Sequence, residues 1–197
     1  MTKKPIIDMR EFTENYFGRL NDLYGQINAD SVEELFVELN TARKNDNNIF
    51  FIGNGGSAST ASRFTVDLLN SSIKKGLLLP FKAVSLCESV PMITSIGVDC
   101  DFEDIFVEQL KIYFKERDLL VAISASGNSA NTLKAVDWVN ENNGISFGLV
   151  GFDGGKLKKK CQKSIFCKSK KGEYGPVEDM HLIIDHMIQS YIMNYIS

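Results

Sequence analysis

The chain reads as an α/β protein: a five-stranded parallel sheet flanked by helices on both faces, with a pair of helices ahead of it. Three observations lead there. From Asn48 onward, short apolar segments alternate with helical ones. The short segments are apolar throughout rather than every second residue, as strands covered on both faces must be. The first of them runs straight into the glycine-rich turn "GNGGSAS", which opens a helix.

Taken in order, Phe12, Tyr16, Phe17, Leu20, Leu23 and Tyr24 recur at helical spacing and predict a helix from about Asp8 to Ile27. In "DSVEEL", Ser31 is the expected N-cap, with Glu34 its capping-box partner, for a second helix ending near Arg43. "NIFFIG" is the first strand, and Ser57 to about Asn70 the helix after it. "FKAVSL" is a strand, "SVPMITSIG" a short helix and "FEDIFVEQLKIYF" a longer one. "DLLVAIS" and "ISFGLVGF" are strands, each followed by a polar loop, "ASGNSAN" and "DGGKLKKK". "KSIFCK" is the last strand, and "PVEDMHLIIDHMIQSYIMNYI" closes the chain as a helix with Pro176 near its start. The loops after Ile52, Ile123 and Val150 should share the carboxyl rim of the sheet, where such sheets bind ligands.

At 197 residues the chain suits one large domain, or one domain with appended helices, and can bury a core unaided. The net charge of −3 gives no reason to expect nucleic acid. The start "MTKKPIIDMREF" lacks the apolar core of a signal peptide, and no apolar run approaches the roughly 20 residues that span a bilayer. The expectation is a cytoplasmic protein without membrane partners. Cys87, Cys100, Cys161 and Cys167 form no C-x-x-C pair, so reduced thiols are expected. The eight lysines between Lys156 and Lys171 read as a solvated face. The closing helix carries Met187, Ile188, Tyr191, Ile192 and Tyr195 on more than one face, which favours a subunit interface involving the N-terminal helices.

Two loops carry chemistry. The glycines of "GNGGSAS" let backbone amides approach a ligand at a helix N-terminus, although neither a P-loop nor a full G-x-G-x-x-G is present. "SASGNS", Ser124 to Ser129, places three serines around a Gly-Asn turn, a neutral cradle for phosphate.

With "GFDGGKL" and "VEDMHLIIDH" following in this order, the chain resembles the sugar isomerase (SIS) domains of the phosphoheptose isomerase family, from about Asn48 to the C-terminus. The resemblance implies a three-layer, flavodoxin-like fold with residues 1–45 as oligomer-forming helices and 46–197 as the SIS domain. It implies a cytoplasmic homotetramer converting sedoheptulose 7-phosphate to a heptose 7-phosphate, early in the formation of bacterial surface heptose. Ser124, Ala125, Ser126 and Ser129 would hold the phosphate, and Asn54, Gly55, Gly56 and Ser57 the sugar. Asp99 falls where the family has an Asn-Asp pair near substrate, with Val98 in place of the Asn. The family's zinc site maps onto Arg63, Asp67, Glu178 and His186.

Carbonyl migration through an enediol needs a base, an acid and something to steady the oxygen. The resemblance implies Asp67 as the base and His186 as its partner acid, with Glu178 a third catalytic position. His181 lies five residues before His186 and projects about 140° away, so the two do not share a metal. Arg63 cannot ligate zinc, and at i, i+4 it neighbours Asp67. Either Arg63 supplies the charge that zinc would have supplied, or the other three side chains hold a weak zinc site. An Arg63–Asp67 pair also makes the carboxylate a poorer base, so the alternative to an isomerase is a non-catalytic SIS module that senses phosphosugar or binds a protein such as a replication initiator.

Overall fold

A computed structural model describes residues 8–196. Helices α1 (Met9–Tyr24) and α2 (Ala29–Lys44) lead into β1 (Asn48–Ile52), α3 (Gly56–Lys75) and β2 (Lys82–Ser85). Then come α4 (Val90–Asp99), a 3-10 turn (Phe102–Asp104), α5 (Val107–Tyr113) and β3 (Leu119–Ser124). The chain closes with α6 (Ala130–Glu141), β4 (Ile145–Val150), α7 (Leu157–Lys160), β5 (Lys163–Phe166) and α8 (Tyr174–Tyr195). All five strands are parallel, in the order β2-β1-β3-β4-β5.

Side-chain alternation along the central strands sorts the core into two layers. Ile49, Phe51, Leu119, Val121 and Ile123 face α2, α3 and α8, joining Leu35, Leu39, Phe64, Leu68, Ile184 and Ile188. Phe50, Ile52, Leu120 and Ala122 face the other way, onto Phe106, Leu110, Val136 and Val139 of α5 and α6. The helix after β1 therefore lies on one face and the helix after β3 on the other. Between β1 and β3 the order of connection reverses, and a crevice opens at their carboxyl ends.

The amino-terminal edge of the same two strands is closed. Buried Asp118 accepts from the amides of Asn48 at 2.8 Å and Lys115 at 2.9 Å, and from Nδ2 of Asn48 at 3.0 Å. With Asn47 Nδ2 at 3.4 Å, four donors on one carboxylate tie the start of β1 to the start of β3.

Three local expectations differ from the structure. Helix α2 is capped by Asn28, whose side chain accepts from the Asp30 amide, and Ser31 instead donates to the Asn28 carbonyl. The earlier residue wins because its Asx turn satisfies the first orphan amide and starts the helix sooner. The segment "FEDIFVEQLKIYF" is broken, not one helix. Ile105, Phe106 and Val107 are all buried, and an unbroken helix would spread three successive side chains through about 200°. Helix α3 runs five residues past Asn70 because Ser71 and Ser72 return their hydroxyls to the carbonyls of Asp67 and Leu68, and it ends at left-handed Gly76. Helix α2 shares the main core, where Leu35, Leu39 and Ala42 pack in the layer of β1 and β3, while Leu23 of α1 packs in a separate cluster with Val177 and Met180 of α8.

No described helix is long and apolar enough to cross a membrane, and all four cysteines are free. Lys158 of the lysine-rich stretch lies over the Phe166 ring, and Lys160 and Lys163 pair with Asp137 and Glu38.

Replacing Asp118 by Ala leaves its part-buried donors without their shared carboxylate and should cost about 3 kcal/mol. For a domain of this size that is a fall in Tm of about 6–12 °C by calorimetry, with the fold retained by circular dichroism.

Candidate active site

The turn after β1 sets one wall of the crevice. Gly55 holds a φ of 55°, and the Ser57 amide returns to the Asn54 carbonyl at 3.0 Å. That brings the first turn of α3 against α8, where a side chain on Gly56 would collide with the carboxylate of Glu178. Glycine at 56 is the condition for Glu178 to stand there.

The loop after β3 sets the opposite wall. The Ser124 hydroxyl lies 3.5 Å from those of both Ser126 and Ser129. Ser124 also accepts from the Gly127 amide and Ser126 from the Asn128 amide, so both hydroxyl oxygens are held by the backbone. The loop after β4 braces this one from behind: the amides of Lys156 and Leu157 donate to the Asn128 side chain and the Gly127 carbonyl. The motif "DGGKL" thus supports the serine loop. Three hydroxyls at the N-terminus of α6, with that helix's first-turn amides, suit a phosphate ester without a lysine.

The two walls enclose a cavity of about 310 Å³ lined by Asn54 to Ser57, Ile123 to Ser126, Ser129, Tyr174 and Glu178. The size fits a small phosphorylated sugar. Burial, and then the neighbouring Asp179, raise the Glu178 pKa above the ordinary carboxylate value. Helix α1 pins this end of α8: Tyr16 donates to Asp179 at 2.5 Å, and Arg19 forks onto Glu173.

A second group gathers between α3 and α8. Arg63 Nε donates to Asp67 Oδ2 at 2.8 Å, and the same oxygen lies 3.9 Å from His186 Nε2. Asp185, fully buried, completes it: donor atoms of Asp67, Asp185 and His186 lie within 4.8 Å of one another. Neither Asp185 oxygen has a hydrogen-bond partner. Burial, and then the Asp67 carboxylate, push Asp185 up to about 8, against the pull of Arg63. One turn earlier on α8, His181 is fully buried and held down to about 4 by that burial, with the backbone of Val150 opposing weakly.

Residues 15–148 match the model of the SIS domain family. A phosphoheptose isomerase of Nitratiruptor sp. is 34% identical over 151 residues, 77% of this chain and 79% of the relative. A phosphoheptose isomerase of Aneurinibacillus thermoaerophilus is 32% identical over 157 residues, 80% of this chain and 77% of the relative. The chain belongs to the phosphoheptose isomerase family of SIS domains. The solved phosphoheptose isomerase of Neisseria gonorrhoeae superposes with a TM-score of 0.83 at 25% identity, covering 94% of this chain and 98% of that one.

Within that family frame, the expected binding residues separate into groups. Asn54, Gly55, Gly56, Ser57, Ser124, Ala125, Ser126 and Ser129 line one cavity, and Glu178 joins them there. Arg63, Asp67 and His186 meet in the neighbouring group. Asp99 lies apart at the exposed end of α4, bonded to Ser95, and beside it Val98 is 83% exposed. The stretch "KKGEYG", expected by family analogy at the pocket mouth, contributes Tyr174 to the lining, whereas sequence reasoning passed over Asn131 and Asp185. Periodicity gives the faces of α8 but not which polar residue on an inward face lacks a partner.

The zinc set that the resemblance implies does not assemble. A guanidinium, which has no lone pair to give, stands on the Asp67 oxygen a metal would need. Glu178 opens into the sugar cavity, away from the Asp67–His186 pair.

The two buried titrations predict a stability profile. His181, with its pKa lowered, makes stability rise with pH between about 4 and 6.5; Asp185, with its pKa raised, makes stability fall between about 4 and 8. The two offset below about 6.5, and above it Asp185 acts alone. Thermal midpoints of the wild type should fall from pH 6.5 to 8 and then level off. Asp185→Asn should remove that fall; an unchanged profile would rule out Asp185 as its source.

Proposed function

We propose that the chain is an aldose–ketose isomerase that converts sedoheptulose 7-phosphate to D-glycero-D-manno-heptose 7-phosphate through an enediol. The observation that carries this reading is one cavity with a three-serine cradle at one end and a carboxyl, Glu178, at the other. Membership in the phosphoheptose isomerase family supports the substrate.

The phosphate lies on Ser124, Ser126, Ser129 and the amides of α6, which fixes the sugar by its far end. The turn from Asn54 to Ser57 presents backbone amides and a hydroxyl to the sugar oxygens. The reaction takes a proton from C1, moves the carbonyl from C2 to C1 and returns a proton at C2. Glu178 is the carboxyl in the cavity, so we assign that transfer to it. Family position gives Asp67 and His186 the base and acid roles. Here Asp67 is committed to Arg63, which leaves Arg63, Asp67 and His186 the electrostatic part: a fixed positive charge for the enediol oxygen, and an imidazole able to donate to it. Asp99 reaches the sugar only if α4 moves or a second copy brings it there.

The enzyme works in the cytoplasm as a homotetramer, with residues 1–45 helping to join the subunits. Supporting this, α3 exposes Val66, Leu69 and Ile73, and α8 exposes Ile183, Met187, Tyr191 and Tyr195. An apolar groove between α2 and α8, lined by Val32, Phe36, Met187 and Tyr191, continues that surface.

The deciding assay uses metal-stripped protein and sedoheptulose 7-phosphate. Turnover should occur without zinc and not rise when zinc is added. Glu178→Gln should lower kcat at least about 100-fold and Asp67→Asn about 10-fold. Strict zinc dependence would overturn the metal-free centre. Loss of turnover in Asp67→Asn alone would return the base to Asp67, and binding without turnover in the wild type would favour a sensing or protein-binding module.

For the assembly, light scattering should give four times the chain mass. Tyr191→Asp should lower it by placing a charge in the apolar face, whereas a monomeric wild type would overturn the tetramer.

A further inference from the structure

Asn131 is the second residue of α6, and it is 2% exposed. Its amide oxygen is fully used, and one amide N–H is paired. Oδ1 accepts from the Asn54 side chain at 2.8 Å and from the Thr132 backbone amide at 2.8 Å, and Nδ2 donates to Asn54 Oδ1 at 2.9 Å. A reciprocal amide pair alone would read equally well with both ends flipped. The Thr132 N–H, which can only donate, sets the orientation.

Two consequences follow. The Thr132 amide is one of the orphan donors of the helix start, and such a donor is ordinarily satisfied by the N-cap side chain. The N-cap here is Ser129, and its side chain makes no capping bond. Asn131 does that work from inside the first turn, so the Ser129 hydroxyl is free to stand 3.5 Å from Ser124. The Asn54 side chain is likewise tied to α6, which spans the crevice between the glycine turn and the serine loop.

We propose that Asn131 is the positioning residue of the site: it takes over the capping of α6 so that Ser129 faces the phosphate, and it holds the glycine turn at a set spacing from the phosphate cradle. The assignment rests on the reading of the serine loop as a phosphate site.

The test titrates inorganic phosphate by calorimetry and measures KM for sedoheptulose 7-phosphate. Ser129→Ala and Asn131→Ala should each weaken phosphate binding about 10-fold. Their combination should add less than about 2-fold, because without Asn131 the serine turns back to cap Thr132. Asn54→Ala breaks the bridge and trims the sugar end of the cavity, but leaves the Asn131–Thr132 cap in place. It should leave phosphate affinity within about 2-fold while raising KM for the sugar phosphate about 10-fold. Additive losses from Asn131→Ala and Ser129→Ala would overturn the proposal, as would a lowered Tm in Asn131→Ala with phosphate affinity intact. If Asn131→Ala does not fold, Asn54→Ala decides, and a phosphate loss as large as that of Ser129→Ala overturns it. Because phosphate binding needs no turnover, a wild type that binds phosphate but isomerises nothing fails the isomerase reading alone. A wild type that binds no phosphate overturns both.

Discussion

Everything functional in this chain depends on the place where β1 and β3 lie side by side while their helices leave on opposite faces of the sheet. That divergence opens the crevice, and each wall then ends in a helix N-terminus. A carboxylate at the opposite edge of the same strands, Asp118, ties their starts together. The asymmetry between the two edges lets one sheet be rigid below and receptive above.

The site is assembled by contacts that each need something small. Glu178 reaches the cavity because position 56 carries no side chain. Ser129 reaches its neighbours because another residue caps its helix. Helix α8 is held at its first turn by Tyr16 and Arg19 of α1, so the N-terminal helix, distant in sequence, fixes the carboxyl that faces the sugar. These are long-range dependencies, and substitutions in α1 should be felt in the cavity.

The neighbouring group of Arg63, Asp67, Asp185 and His186 shows what a change of one residue does to an electrostatic centre. A guanidinium on Asp67 brings positive charge without coordination, and a buried carboxyl beside it keeps its proton. Sequence reasoning saw Arg63 and Asp67 as helix neighbours, which the structure shows at 2.8 Å. Asp185 escaped notice because an aspartate in an apolar helix face looks the same in sequence whether it is buried or turned to solvent.

The sequence by itself determined the α/β class, the five parallel strands and the two chemical loops, because hydrophobic period and glycine or serine punctuation are local properties that survive into any fold. It also determined that Arg63 could not bind a metal, since that follows from the guanidinium alone. Only the tertiary structure decided that Glu178 enters the cavity while Asp67 and His186 lie in the adjoining group, that the helix before β3 breaks, and that Asn131 joins Asn54. Each of those depends on the packing of segments far apart in the chain, where burial and the last available hydrogen-bond partner decide, and neither quantity is written in a neighbouring residue.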